Sequence, residues 1–417
     1  MFYLADALSP KARLNNSKAM RKSMPPISAE GRIATGNAPD VIALTRKLLS
    51  FDTINPPGNE RSCAEYLANL LSAAGFVTEL HDVGPGRANL VARLGNGPGK
   101  PLCFAGHLDT VPLGAQRWWH DPFAGDIEDG KIYGRGATDM KGGVAAFVTA
   151  CLEDADTLKD GPGVLLLITA GEETGCDGAA ALVSEGRVPE AGALVVAEPT
   201  TNQPLLGHKG ALWLKVTTRG KTAHGSTPEH GDNAVVKVAN IITQLSDFHF
   251  DVEPHPTVGM PTLNIGTVSG GININSVPDC AEVALDIRST PNAGHAALKG
   301  ALAQVISPEA TIQTLIDLPA VWTDPQNDWV RRVFDLSAGI TKTQTPPSAA
   351  SYFTDASVFT SALGHLPTVI LGPGLAALAH QTDEYCEVER IVEAVAIYRA
   401  ILHDWIAASS TPGTPIS

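Results

Sequence analysis

The sequence predicts an α/β fold: a mixed, mostly parallel sheet flanked by helices, into which a smaller α+β unit is inserted. Three observations lead there. From Pro39 onward, short apolar runs bounded by Gly and Pro alternate with helical patterns, as in a sheet with helices on both faces. Near Gly210 the texture changes to runs in which apolar and polar residues alternate, as strands with one solvated face do. The 417 residues also exceed what a single hydrophobic core organises, so two folded units are expected.

Residues 1–39 are polar, with Lys, Asn, Ser and Pro mixed through them, and read as a loose extension. Their apolar stretch is too short for a signal peptide and lacks its charged-then-apolar order. PDVIALTRKLLSF has apolar residues at helical spacing behind a capping Asp40, and RSCAEYLANLLSAAGF predicts a second helix ending at Gly75. ANLVARL, KPLCFAGHL, GVLLLITA, ALVVAE and LPTVILG read as buried strands, with MKGGVAAFVTACLED as a helix among them. Residues 210–318 form the inserted unit: ALWLKVTTRG, TLNIGTVSG and CAEVALDIRST alternate, and DNAVVKVANIITQLSDF is its helix. The chain returns at Pro319, so residues 40–209 and 319–409 make the larger domain. That domain closes with the helix EVERIVEAVAIYRAILHDWI, and TPGTPIS is a tail.

Composition excludes several classes of function. Hydrophobic residues make up 44% and charged residues 18%, the balance of a globular protein rather than a disordered one. A net charge of -14, with no dense cluster of Lys and Arg, repels polyanions, so nucleic acid is not an expected partner. The 6 cysteines lie far apart without a CxxC pair and read as buried free thiols, not a disulfide frame. No run approaches the length of a membrane helix, which excludes a membrane partner of that kind and makes the cytoplasm the expected location.

The chemistry lies at the ends of the predicted strands. His107 and Asp109 follow LCFAG, Glu172 and Glu173 follow VLLLITA, Glu198 follows ALVVA, and His380 lies a short loop beyond TVILGPG. Ligands bind at the carboxyl ends of strands in open α/β sheets, so these six groups can converge. Asp139, in YGRGATDMKGG, sits just ahead of a helix and can join them. Two histidines with several carboxylates are what zinc takes as ligands, and paired ions about 3.5 to 4 Å apart share a carboxylate. His107 and Asp109 are two apart, so in extended chain both point the same way, which suits a histidine ligand oriented by a carboxylate. Adjacent Glu172 and Glu173 at a buried strand end repel; a metal resolves that cost and leaves one carboxylate as ligand and the other free as a base. Each stretch alone has a bland explanation, since Glu-Glu is commonly a solvated turn and an Asp before a helix is favourable in any protein. Their joint placement beside strands is what points to a site.

GHLDTVP, WWHDPFAGDIEDGKIYGRGATDMKGG, TAGEETG, AEPT and AHQTDEY, in that order and spacing, resemble the M20 metallopeptidase family. Within it they are similar to the acetylornithine deacetylase and succinyl-diaminopimelate desuccinylase branch. The resemblance implies that His107 and Glu198 bind one zinc, Glu173 and His380 the other, and that Asp139 bridges both, with Co2+ or Mn2+ as possible occupants. It further implies that Asp109 orients His107 and that Glu172 is the general acid/base. The inserted unit becomes a lid and dimerisation domain. Its His224, in GKTAHGSTPEHGDNA, reaches across a homodimer to stabilise the tetrahedral oxyanion in the partner's site. From spacing alone His224 is an ordinary loop histidine.

For the substrate, Asn275 in GGININSVPD and Arg288 at the end of AEVALDIR match family positions near a carboxylate, where a planar guanidinium gives two-point recognition. HKG at His208 to Gly210 resembles the deacetylases, where desuccinylases carry Arg-Arg-Gly, and SYFTDASVF departs from the desuccinylase wording too. The expected substrate is thus a small N-acyl amino acid, a short acyl group on a basic or neutral residue. A desuccinylase, a dipeptidase or carboxypeptidase, and a catalytically dead binding homologue are the alternatives. A phosphoryl-transfer enzyme is excluded because no glycine-rich phosphate loop is present.

Overall fold

A computed structural model describes residues 38–409; the extension expected over residues 1–39 lies almost wholly outside these, as does the TPGTPIS tail. The larger sheet has six strands in the order Val77–Gly84, Arg87–Leu94, Val164–Thr169, Leu102–His107, Ala193–Val196 and Thr368–Ile370. The pairings across Arg87–Leu94 are antiparallel and the remaining three are parallel, which is the mixed, mostly parallel sheet the sequence predicts. Its parallel strands are buried along their whole length because helices cover both faces, and this is why they read as unbroken apolar runs.

The helix Lys141–Glu153 has buried residues all the way round from Lys141 to Leu152. It gets that close through its glycines: a Cβ at Gly143 would stand 2.2 Å from the carbonyl oxygen of Ala197. The DMKGG stretch therefore brings Asp139 and the strand end bearing Glu198 together. On its other side this helix meets the C-terminal helix Val388–Ser409. Phe104, beneath it, stacks on Phe147 at 5.7 Å and meets the edge of Tyr398 at 5.3 Å.

The second sheet is antiparallel, in the order Thr262–Gly270, Cys280–Ser289, Gly210–Arg219, Thr311–Leu318. Its inward residues, among them Leu212, Leu214, Val216, Val283, Leu285 and Ile287, pack on the helices Ala234–Ser246 and His295–Val305 in a core of their own. The outward residues include Trp213, Asp286 and Arg288. Two edge strands have no clear signal in the sequence: Val77–Gly84 and Thr311–Leu318 are mostly exposed and polar, so no apolar run marks them. All six cysteines are free, five of them buried. Among the described residues, no helix is long and apolar enough to cross a membrane.

Candidate metal centre and substrate cleft

His107 ends its strand, and the loops that follow the neighbouring parallel strands deliver Glu172, Glu173, Glu198 and His380. His107 Nε2 lies 3.1 Å from Asp139 Oδ1, 3.7 Å from Glu198 Oε1 and 4.0 Å from Glu172 Oε2. His380 Nε2 lies 3.1 Å from Glu173 Oε2 and 3.4 Å from Asp139 Oδ2. Two triads result, His107–Asp139–Glu198 and Asp139–Glu173–His380, each with ligand atoms within 4.8 Å of one another. Asp139 belongs to both, turning one oxygen to each.

This donor set fits two divalent cations. Asp139, Glu172, Glu173 and Glu198 crowd around two imidazoles, and the buried Glu173 Oε1 has no hydrogen-bond partner. Burial, reinforced by the charge of Asp139, pushes the Glu198 carboxyl well above its ordinary range. Burial likewise raises Glu173 to about 7, with Asp139 adding to the rise. Hydrogen bonds donated to Asp139 and Glu173 lift His380 to about 10. For His107, burial pulls downward, but hydrogen bonds to Asp109 and Asp139 and the charge of Glu198 hold it well above a free imidazole. Without cations the cluster thus retains protons at neutral pH, in the positions where metal would neutralise it.

Asp109 is wholly buried and ties this end of the sheet together. Its carboxylate accepts from the backbone N–H of Glu172 at 3.1 Å and of Glu173 at 3.2 Å, and from Asn55 Nδ2 at 3.0 Å. His107 Nδ1 lies 3.0 Å from the Asp109 carbonyl and 3.5 Å from its carboxylate, so main chain and side chain both face that nitrogen and leave Nε2 turned to the cluster. Glu172 is 5% exposed and its carboxylate makes no hydrogen bond to another side chain among the described residues. Burial and the charges of Glu198, Glu173 and Asp355 push it well above the ordinary carboxylate range, against the opposing pull of His107.

The cluster opens into a cleft of about 340 Å3 whose far side is built by the second sheet, through Trp213 and Arg288, and by the loop residues Tyr352 and Phe353. Trp213 faces Asp286 directly across the strand pair, and Arg288 lies two residues beyond Asp286 on the same face. His224 and Asn275 lie elsewhere. They are exposed neighbours, Gly225 N donating to Asn275 O at 2.7 Å, and neither lines the cleft of its own chain. His208 of the HKG stretch also lies off the cleft, fully buried with its ring bonded to Lys209 O at 2.9 Å.

Sequence reasoning passed over Glu384, in the AHQTDEY stretch. It is 1% exposed and accepts from the backbone N–H of Gly136, Thr138 and Asp139 and from Arg135 Nη1. It clamps the loop that presents Asp139. The aromatic residues Trp213, Tyr352 and Phe353 were passed over as well, although Trp213 occupies an outward position in a strand with an otherwise regular apolar alternation.

Residues 103–404 match the model of Peptidase family M20/M25/M40. A probable succinyl-diaminopimelate desuccinylase of Staphylococcus epidermidis is 30% identical over 401 residues, covering 88% of this chain and 98% of that protein. An acetylornithine deacetylase of Proteus mirabilis is 32% identical over 369 residues, covering 84% and 92%. Among solved structures, an M20 family metallo-carboxypeptidase from Sulfolobus solfataricus superposes with a TM-score of 0.73 at 19% identity, over 88% of this chain and 100% of that one, a likeness of fold.

Proposed function

Because the chain belongs to peptidase family M20/M25/M40 and is thereby a metal-dependent hydrolase of amide bonds, we propose that it removes the acyl group from an N-acyl amino acid at a two-metal centre. The observation that carries this reading is the pair of triads sharing Asp139 beside a carboxylate, Glu172, that belongs to neither. His107 and Glu198 would hold one cation, Glu173 and His380 the other, with Asp139 between them. Zinc suits these donors, and so do cobalt and manganese. Such a pair would supply Lewis-acid chemistry, polarising the scissile carbonyl and lowering the pKa of the attacking water.

The remaining work falls to the chain. Glu172 lies beside the cluster, 4.0 Å from His107 Nε2 and outside both triads; it takes the proton of the attacking water and returns it to the leaving amine nitrogen. Asp109, bonded to both backbone N–H groups of the Glu172–Glu173 turn, fixes that turn and the tautomer of His107 together. Arg288 receives the substrate carboxylate, and the neighbouring Asn275 and His224 enter from a second copy of the chain, Asn275 assisting at the carboxylate and His224 meeting the developing charge on the carbonyl oxygen. Two features support a homodimer through the inserted unit. The strand Thr262–Gly270 is an unpaired sheet edge, and Ile272 and Ile274, in the loop beside His224, are 91% and 101% exposed.

The test is metal content together with hydrolysis of N-acetyl amino acids, N-succinyl-diaminopimelate and dipeptides. Two ions per chain and chelator-sensitive release of a free amino acid are expected. A protein that binds two ions and cleaves none of these amides refutes the reading.

A further inference from the structure

The cleft beside the candidate metal centre carries a more specific message about what it accepts. Its wall consists of Trp213, Tyr352 and Phe353, and the polar tip of each polar member is already spent inside the protein. Trp213 Nε1 donates to Asp286 Oδ1 at 2.9 Å, and Tyr352 Oη donates to the carbonyl oxygen of Pro199 at 2.9 Å. Asp286 is fully engaged, because Arg288 Nε and Nη2 each reach its carboxylate at 3.0 Å. Trp213 and Phe353 meet edge to face at 6.5 Å, and the Arg288 guanidinium sits 5.8 Å above the Phe353 ring. Ala376 and Ala379 complete the lining with methyl groups.

The wall therefore offers a ligand ring faces, methyl groups and one unspent guanidinium nitrogen, Arg288 Nη1, which makes no hydrogen bond among the described residues. A side-chain ammonium placed there meets no free carboxylate apart from those of the metal triads and Glu172, all of them at the metal end of the cleft and none on the aromatic wall. A second or third substrate carboxylate meets no second arginine or lysine in the lining. Desolvating such a charge without a partner is costly, whereas a flat or branched apolar group gains contact area at no polar cost. Phe353 lies directly under the guanidinium, so the group packed on the rings is the one adjoining the carboxylate that Arg288 holds.

From this we propose that the substrate is an N-acyl derivative of an apolar or aromatic α-amino acid, selected by Trp213 and Phe353, rather than of a basic or diacidic one. The inference rests on the hydrolase reading given above. Trp213 and Phe353 act in it as specificity-determining residues.

The experiment compares kcat/KM of the zinc-loaded protein on N-acetylphenylalanine, N-acetylleucine, N-acetylornithine and N-succinyl-diaminopimelate. Isothermal titration of the same protein with free phenylalanine and free ornithine reads binding without turnover. The apolar derivatives should be preferred by about tenfold or more, and phenylalanine should bind more tightly than ornithine. Trp213→Ala and Phe353→Ala should each erode that preference through KM, while Trp213→Phe, which keeps a ring face, should retain most of it. Preference for the ornithine or diaminopimelate derivative overturns the inference and leaves the hydrolase reading standing. So does an unchanged preference in both alanine variants at wild-type metal content. Cleavage of none of the four by protein carrying two ions per chain overturns both.

Discussion

Replacing Glu384 by alanine tests how much of the candidate centre depends on one buried carboxylate. Its two oxygens accept four hydrogen bonds, from Thr138 N at 2.8 Å and Asp139 N at 3.0 Å on one side, and from Gly136 N at 3.0 Å and Arg135 Nη1 at 2.7 Å on the other. Removing one partner of a buried ion pair costs about 3–5 kcal/mol. Unpaired N–H groups add to that, at about 1–3 kcal/mol each when left dry. Two facts hold the sum down: Arg135 keeps the carbonyl oxygens of Gln381 and Pro112 as acceptors, and the vacated space is polar enough to admit water. About 3–5 kcal/mol is therefore the expected loss, a fall in melting temperature of about 3–6 °C for a chain of this length. Metal affinity should fall about 10- to 100-fold in parallel, as for residues that orient ligands. Glu387→Ala is the control, since that side chain is 56% exposed and its nearest basic partner stands 3.7 Å away; it should change stability by less than about 0.5 kcal/mol. Differential scanning calorimetry of metal-free protein and competition with a chromogenic chelator read the two effects. If Glu384→Ala melts within about 1 kcal/mol of the wild type and loads metal equally well, the clamp has no energetic reality.

Glu172→Ala should keep both ions while turnover falls by about two orders of magnitude or more, and normal rates with normal metal would remove Glu172 from the chemistry. Metal binding should release protons at pH 7, because His380, raised to about 10, is protonated in the metal-free cluster; proton release measured by calorimetry in buffers of different ionisation enthalpy should show this, and affinity should climb with pH. In the metal-free protein, His380 contributes its stabilisation fully below its ordinary value of 6.5 and loses it as pH rises through about 10, so chelated protein should lose stability on the alkaline side. Mixing inactive His224→Ala with inactive Glu172→Ala protein should restore activity, to about a quarter of wild type if subunits exchange freely, since each mixed dimer contains one intact composite site. No recovery after proven exchange would place His224 within its own subunit's chemistry or outside it altogether.

The parallel strands were legible because burial on both faces demands unbroken apolar runs, and the residues following LCFAG, VLLLITA and ALVVA then fall at one end of the sheet by topology alone. Asp139 follows no such rule. It lies in a loop ahead of a helix, and its place between the triads depends on glycine-mediated packing and on the distant Glu384, neither of which periodicity reveals. Glu384 itself looks like any acidic residue in a polar loop until its four donors are seen. The side chains of the cleft wall were hidden for a different reason: Trp213 and Arg288 reach the site only because the second sheet turns its outward face toward the first. The exposure of His224 is a property of one chain, and the mixing experiment reads its proposed role in the pair.

His380 and Glu384 lie in the connection between the strand Thr368–Ile370 and the helix Val388–Ser409, while their partners Glu173 and Asp139 come from far upstream. During synthesis, which runs from the amino terminus, the upstream half of the cluster emerges first and stays a group of crowded acids lacking one histidine and the clamp on Asp139. Only after this loop leaves the ribosome can a growing polypeptide close both triads. A chain cut short ahead of this loop therefore lacks one histidine of the second triad together with the Glu384 clamp on Asp139.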